Sequence, residues 1–167
     1  MKQDLELWNI EGGSDTPERI IFINEAIRGL NLSSDFSILD LAGGRGVVLA
    51  GLTGLFPKCR ATIVDIRNYP HDWYKLKRNV RCVVSPLQEF IQKEDQVYDV
   101  VMMLNSYRSW RGKGDRVSVK KLLDLWLAEH AKYFITSGAD LEYEKGKISG
   151  YDYKGDLQLF KMPLSYV

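Results

Sequence analysis

Cysteine and histidine are nearly absent from this chain, which has only two of each in 167 residues: Cys59, Cys82, His71 and His130. The cysteines stand far apart, with no CxxC pair and no cluster of histidines beside them, which excludes a disulfide framework and a zinc site. Both are expected as buried thiols of neighbouring strands. No apolar run approaches the roughly 20 residues that cross a bilayer, and Met1-Lys2-Gln3-Asp4 lacks the apolar core of a leader. A cytoplasmic protein without a membrane partner or a metal is expected. Internal repeats, low-complexity tracts and interdomain linkers are also missing. One domain over residues 1–167 follows, long enough to hide roughly 70% of its unfolded surface without disulfide or metal support.

Charge is balanced overall, at +1, but not along the chain. Residues 67–121 hold 12 Lys and Arg against 6 Asp and Glu, so that segment carries +6 and the remainder −5.

From residue 37 onward, short apolar runs alternate with longer amphipathic stretches, the pattern of a parallel sheet built from βαβ units. The runs are Ser37–Leu41, Ala61–Val64, Val80–Val84, Tyr98–Leu104 and Lys132–Thr136. Most are β-branched or aromatic, and several are apolar at consecutive positions, as strands covered on both faces should be. Ahead of them, Ser14-Asp15-Thr16-Pro17-Glu18 supplies a helix start, with capping oxygens and a proline in the first turn, for a helix over about 17–29. Crossover helices are expected over Val47–Phe56, Pro70–Asn79, Pro86–Gln92 and Asp115–Ala131. After Ser137 the glycines Gly146, Gly150 and Gly155 separate Leu141-Glu142-Tyr143 from Leu157–Phe160, which reads as an antiparallel hairpin over about 140–164. The expected fold is an α/β three-layer αβα sandwich. Its core over about 36–137 is a mostly parallel, doubly wound sheet, closed by the C-terminal antiparallel hairpin.

The most informative segment is Asp40-Leu41-Ala42-Gly43-Gly44-Arg45-Gly46, at the end of the first strand. A glycine turn there lets backbone pass close to a ligand, and the helix that follows presents N–H groups at its start. Asp65 closes the second strand, 21 residues after Gly44, where a carboxylate can accept hydrogen bonds from ribose hydroxyls. Together they describe a nucleoside-containing ligand lying across the carboxyl ends of the first two strands. A dinucleotide fingerprint would need a third glycine where Leu49 stands, and a P-loop would need a Gly-Lys-Ser/Thr that does not follow the turn.

This segment resembles the first motif, acid-x-Gly-x-Gly-x-Gly, of the class I, Rossmann-like S-adenosylmethionine-dependent methyltransferases. Asp40, Gly44 and Gly46 match, and Ala42 stands where the first glycine usually is. The resemblance covers about residues 17–137 and implies S-adenosylmethionine as cofactor. It implies that Ala42, Gly43, Gly44 and Gly46 approach the methionine end, that Asp40 helps to hold the ammonium, and that Asp65 binds the ribose with Ile66 beside it. By the same resemblance, the segment Ser85-Pro86-Leu87, with Ser85 and Leu87 as its binding positions, lies beside the adenine.

The loop after the fourth strand, Asn105-Ser106-Tyr107-Arg108-Ser109-Trp110-Arg111, should face the methyl acceptor, since ligands of open α/β sheets sit outside the carboxyl ends. Asn105 and Tyr107 are the catalytic candidates: Asn105 accepts a hydrogen bond from a nucleophilic amine, and Tyr107 or Trp110 stacks on a planar substrate or covers the sulfonium. They echo the Asn/Asp-Pro-Pro-aromatic motif of amino-group methyltransferases without its prolines. Arg108, Trp110 and Arg111 are the substrate-binding candidates, because basic side chains interleaved with rings suit a nucleic acid. Asn105 at the aspartate place of the ribose-methylating Lys-Asp-Lys-Glu set argues against a ribose hydroxyl target. Two functions follow: a methyltransferase with nucleic acid as the favoured acceptor, and a non-catalytic module of the same fold that holds a nucleoside ligand or nucleic acid. At this length there is almost no room for a separate target-recognition domain, so a partner subunit, a homodimer or a small substrate is expected in that role.

Overall fold

The computed structural model describes residues 16–67, 79–104, 115–137 and 157–163. Its elements are α1 (Thr16–Gly29), β1 (Ser37–Leu41), α2 (Val47–Leu55), β2 (Arg60–Asp65), β3 (Val80–Val84) and α3 (Leu87–Lys93). They are followed by β4 (Tyr98–Met103), α4 (Asp115–His130), β5 (Ala131–Ser137) and β6 (Leu157–Lys161). The described strands form one sheet in the order β3-β2-β1-β4-β5-β6. Strands β1 to β5 are parallel and β6 runs antiparallel to β5.

The middle of the sheet is where apolar residues run consecutively. All five residues of β1 are buried, and β4 is buried at every position but Asp99. Side chains alternate across the sheet, so each strand supplies two cores. On one face, Ile38, Ile63, Val100, Met102 and Ile135 meet α1 through Ile20, Ile23 and Ile27, and α2 through Leu49 and Leu52. On the other, Leu39, Leu41, Val101, Met103 and Phe134 meet α3 through Phe90 and Ile91, and α4 through Leu123, Trp126 and Leu127. Each such fully buried aliphatic side chain contributes about 1.5–3 kcal/mol relative to exposure. The three-layer αβα sandwich is therefore present.

Two expectations are modified. Cys59 is buried as expected, but Cys82 is exposed, because β3 is an edge strand with Arg81 and Val84 also exposed. Of the C-terminal hairpin, the second arm is β6, and its antiparallel partner among the described residues is β5, from Tyr133↔Lys161 to Ser137↔Leu157. The arm at 141–143 and most of the helix expected over 70–79 lie outside the described residues. No helix among the described residues is long and apolar enough to cross a membrane.

At the amino ends of the central strands a charged clasp fixes their register. Asp99 Oδ2 accepts hydrogen bonds from the Ser37 amide (2.8 Å) and hydroxyl (3.1 Å), tying β4 to β1. Asp99 Oδ1 accepts one from Lys132 Nζ (2.6 Å), tying β4 to β5. Burial alone would raise the Asp99 carboxyl, but the Lys132 hydrogen bond, the Ser37 bonds and the Lys132 charge outweigh it and hold the group below the usual carboxylate range. A depressed carboxylate stabilises the fold fully above its unfolded value of about 3.9, and that contribution disappears as pH falls through the lower folded value. Asp99→Asn is therefore expected to cost about 1–3 kcal/mol near neutral pH. The gap from wild type in denaturant melts should shrink on acidification below about pH 4; a gap independent of pH would remove the ionised clasp from the account.

Candidate functional site

The strand order reverses beside β1: the chain moves outward through β2 and β3, then returns to β4 on the other flank. Such a switch point opens a crevice at the carboxyl ends of the strands, where open α/β sheets take their ligands. The Asp40–Gly46 segment sits there, joining β1 to α2.

Its conformation is governed by three residues with positive φ: Ala42 (54°), Gly44 (57°) and Gly46 (66°). This left-handed run costs an alanine roughly 1 kcal/mol, which is why glycine is the ordinary occupant of such a position. The turn then closes on β2. The Gly43 amide donates to Val64 O (3.1 Å), the Gly44 amide to Asp65 Oδ2 (2.9 Å), and the Gly46 amide to Gly43 O (2.8 Å). Three of the turn's own amides are thus used within the protein, whereas the start of α2 has no side-chain cap and no acid in its first turn.

The two neighbouring glycines are constrained differently. A Cβ at Gly43 would stand 2.7 Å from Ile63 side-chain atoms and 2.9 Å from Asp40 Cγ, so packing forbids it. A Cβ at Gly44 would meet nothing within 4 Å among the described residues, so the turn is open to them on that side.

Asp65 is the hub of the arrangement. Beyond the Gly44 bond, its Oδ1 accepts from the Arg67 amide (2.9 Å), and its carbonyl accepts from the Ser85 amide (3.0 Å). Each carboxylate oxygen carries two lone-pair positions, so both retain acceptor capacity after these bonds. Asp40 is only 3% exposed, and no described residue donates a hydrogen bond to its carboxyl. Burial, with a smaller contribution from the Asp65 charge, pushes Asp40 up to about 7.

Beside Asp65 lies a cavity of about 250 Å³ lined by Ala42, Val64, Asp65, Ile66, Ser85, Pro86, Leu87, Gln88 and Val119. Of the residues expected to hold a nucleoside, the cavity brings together Ala42, Asp65, Ile66, Ser85 and Leu87. Gly43, Gly44 and Gly46 form the adjoining turn and Asp40 lies buried under it, packed against Gly43. Asn105, Tyr107, Arg108, Trp110 and Arg111 lie outside the described residues. Sequence reasoning missed Val64, Gln88 and Val119. Val64 and Gln88 directly adjoin expected residues, and extending each segment by one would have found them. Val119 comes from α4 by a tertiary contact that no local pattern announces.

No family model matches the chain, and no curated protein matches it in sequence. Solved structures do. The bifunctional kinase-methyltransferase WbdD superposes with a TM-score of 0.65 at 16% identity, over 93% of this chain and 41% of its own. An S-adenosylmethionine-dependent methyltransferase from Clostridium acetobutylicum ATCC 824 gives 0.58 at 19% identity, over 88% and 62%. The plantazolicin methyltransferase BpumL, solved with a monoazolic desmethylPZN analog and SAH, gives 0.56 at 16%, over 81% and 52%. The chain spans less than two thirds of the length of each of these neighbours. Sheet order, glycine turn and superpositions converge: this chain has the Rossmann-like fold of the class I S-adenosylmethionine-dependent methyltransferases.

Proposed function

We propose that the chain is an S-adenosylmethionine-dependent methyltransferase. The observation that carries this reading is the apolar cavity beside Asp65, whose carboxylate is tied to the glycine turn yet keeps lone pairs for two more donors. When bound, the cofactor supplies an electrophilic methyl group on a sulfonium with a thioether leaving group.

The residues present fit such a ligand. Asp65 accepts the ribose hydroxyls, and Val64, Ile66, Pro86, Leu87 and Val119 enclose the faces of the base. Asp40, buried and without a donor among the described residues, is a carboxyl in want of a cation, and an ammonium at the open side of Gly44 satisfies it. Asp40 pairs with Met102 across β1 and β4, so the segment that begins at Asn105 starts from the same edge of the sheet. Asn105 orients the acceptor and Tyr107 covers the reacting centre. Positioning of this kind accounts for roughly 7–11 kcal/mol of barrier lowering and needs no strong base for an amine acceptor.

The net charge of residues 67–121 favours an anionic acceptor, nucleic acid foremost. Among the described residues, three cations of that segment are engaged internally, Arg81 with Glu94 (3.0 Å), Lys93 with Glu89 (3.9 Å) and Lys120 with Asp124 (2.7 Å). Of the remaining cations, those adjoining the ends of β2 and β4, Arg67, Arg108, Arg111, Lys113, Arg116 and Lys121, grip the polyanion, with Trp110 stacking on bases. Replacing Arg108 and Arg111 together by Ala is expected to flatten the salt dependence of nucleic-acid binding by about 2 in logarithmic slope. An unchanged slope would move the contact elsewhere.

The decisive experiment is calorimetry with S-adenosylmethionine, followed by transfer of labelled methyl to nucleic acids, proteins and small metabolites. Asp65→Ala is expected to weaken binding by about 1–3 kcal/mol. Wild-type affinity in that variant would remove Asp65 from the site, and binding without any transfer would favour the non-catalytic module.

The state of Asp40 gives the same titration a pH signature. In the free protein its carboxyl is protonated below about 7, and a bound ammonium favours the ionised form. Binding then releases a proton, so affinity should rise with pH between 5 and 7 by up to about tenfold per unit and level off above. Affinity flat across that range would show that Asp40 does not meet the ammonium.

A further inference from the structure

We propose that Val119 is a positioning residue: through it the bound nucleoside fixes the first turns of α4, and with them the end of the acceptor segment that runs into that helix. The inference rests on the nucleoside reading of the cavity and adds a link between two parts of the site that this reading leaves separate.

The later turns of α4 are held by the protein itself. Leu123 and Leu127 are fully buried and Trp126 nearly so, all three in the core that α4 shares with α3. The Trp126 indole donates to Glu94 O (3.1 Å), meets the Phe90 ring edge-on with centroids 6.3 Å apart, and stacks on the His130 ring at 4.9 Å. His130 lies with Nδ1 3.2 Å from Gln96 O. These ties join α4 to α3 and to the residues that lead into β4, at the amino ends of the strands.

Residues four apart share a helix face, so Val119 continues the stripe of Leu123 and Leu127 toward the carboxyl ends. It is half-buried and belongs to neither core; what it faces is the cavity, whose wall it shares with Ala42, Asp65 and Leu87. A helix end opens at low free energy unless tertiary contacts hold it. The face of a nucleoside base seated against Val119 supplies such a contact, because it takes the exposed part of the valine out of water. The chain leaves β4 at Met103 and enters α4 at Asp115, so residues 105–114, which carry the acceptor candidates, end at the turns that the nucleoside holds. The ligand that donates the methyl group thereby also places the segment that presents its recipient.

The test is hydrogen exchange over residues 115–122 in wild type, Val119→Ala and Val119→Ile, each free and saturated with S-adenosylhomocysteine, with saturation checked by calorimetry. In wild type the ligand should slow exchange there roughly 3- to 10-fold, the scale of covering half of a valine side chain. Val119→Ala should exchange no faster than wild type when free, since alanine favours helix more than valine does. With ligand it should lose most of the slowing in α4 while the turn at 43–46 keeps its own, and Val119→Ile should retain both. Faster exchange in free Val119→Ala would mark a merely structural residue and overturn the assignment. So would full slowing of α4 in ligand-saturated Val119→Ala, or ligand-bound wild type with no slowing in α4. Failure of wild type to bind S-adenosylhomocysteine would overturn the cofactor reading and this inference with it.

Discussion

The hydrogen bond from the Gly44 amide to the Asp65 carboxylate joins the end of one strand to the loop leaving its neighbour, and the geometry of the crevice depends on it. Strand pairing brings Leu41 level with Val64, but it does not dictate how the chain turns back after β1. The left-handed run at Ala42, Gly44 and Gly46 gives the turn its curl, and Asp65 receives it. Because the same carboxylate also takes the Arg67 amide, it is held from both sides before any ligand arrives. A group positioned in advance loses little entropy on binding, which is how a small cavity can hold a ligand firmly.

Asp40 and Asp65 stand within one turn but in opposed circumstances. Asp65 is surrounded by backbone donors, whereas Asp40 is nearly sealed and has none among the described residues. Two carboxylates near each other resist joint ionisation, and burial decides which keeps its proton. Here it is Asp40. The opposite end of the sheet shows the contrasting case: Asp99 is also withdrawn from solvent, yet Lys132 and Ser37 supply the partners that keep it ionised.

Much of this was legible in the sequence. The runs at 37–41 and 80–84 coincide with β1 and β3, that for β4 differs by one residue at its end, and those for β2 and β5 by one residue at each end, since uninterrupted β-branched stretches have few alternatives in a sheet covered on both faces. The turn and Asp65 were visible because glycines and an acid at fixed spacing are local signals. Cys82 was misjudged because whether a strand lies at an edge is decided by sheet order, which no single segment encodes. Val119 was missed for the same reason, as its place on the cavity wall depends on how α4 crosses the sheet.

Gly43 and Gly44 adjoin in the chain yet answer to different masters. At Gly43 an added methyl group would strike Ile63 and the Asp40 carboxyl, so a melting curve alone would register its replacement. At Gly44 the direction a side chain would take meets none of the described residues, so its enlargement touches them mainly through backbone strain and otherwise intrudes on whatever occupies the crevice. Side-by-side thermal scans in the presence and absence of a saturating nucleoside would thus sort the architecture of this corner from its purpose, residue by residue.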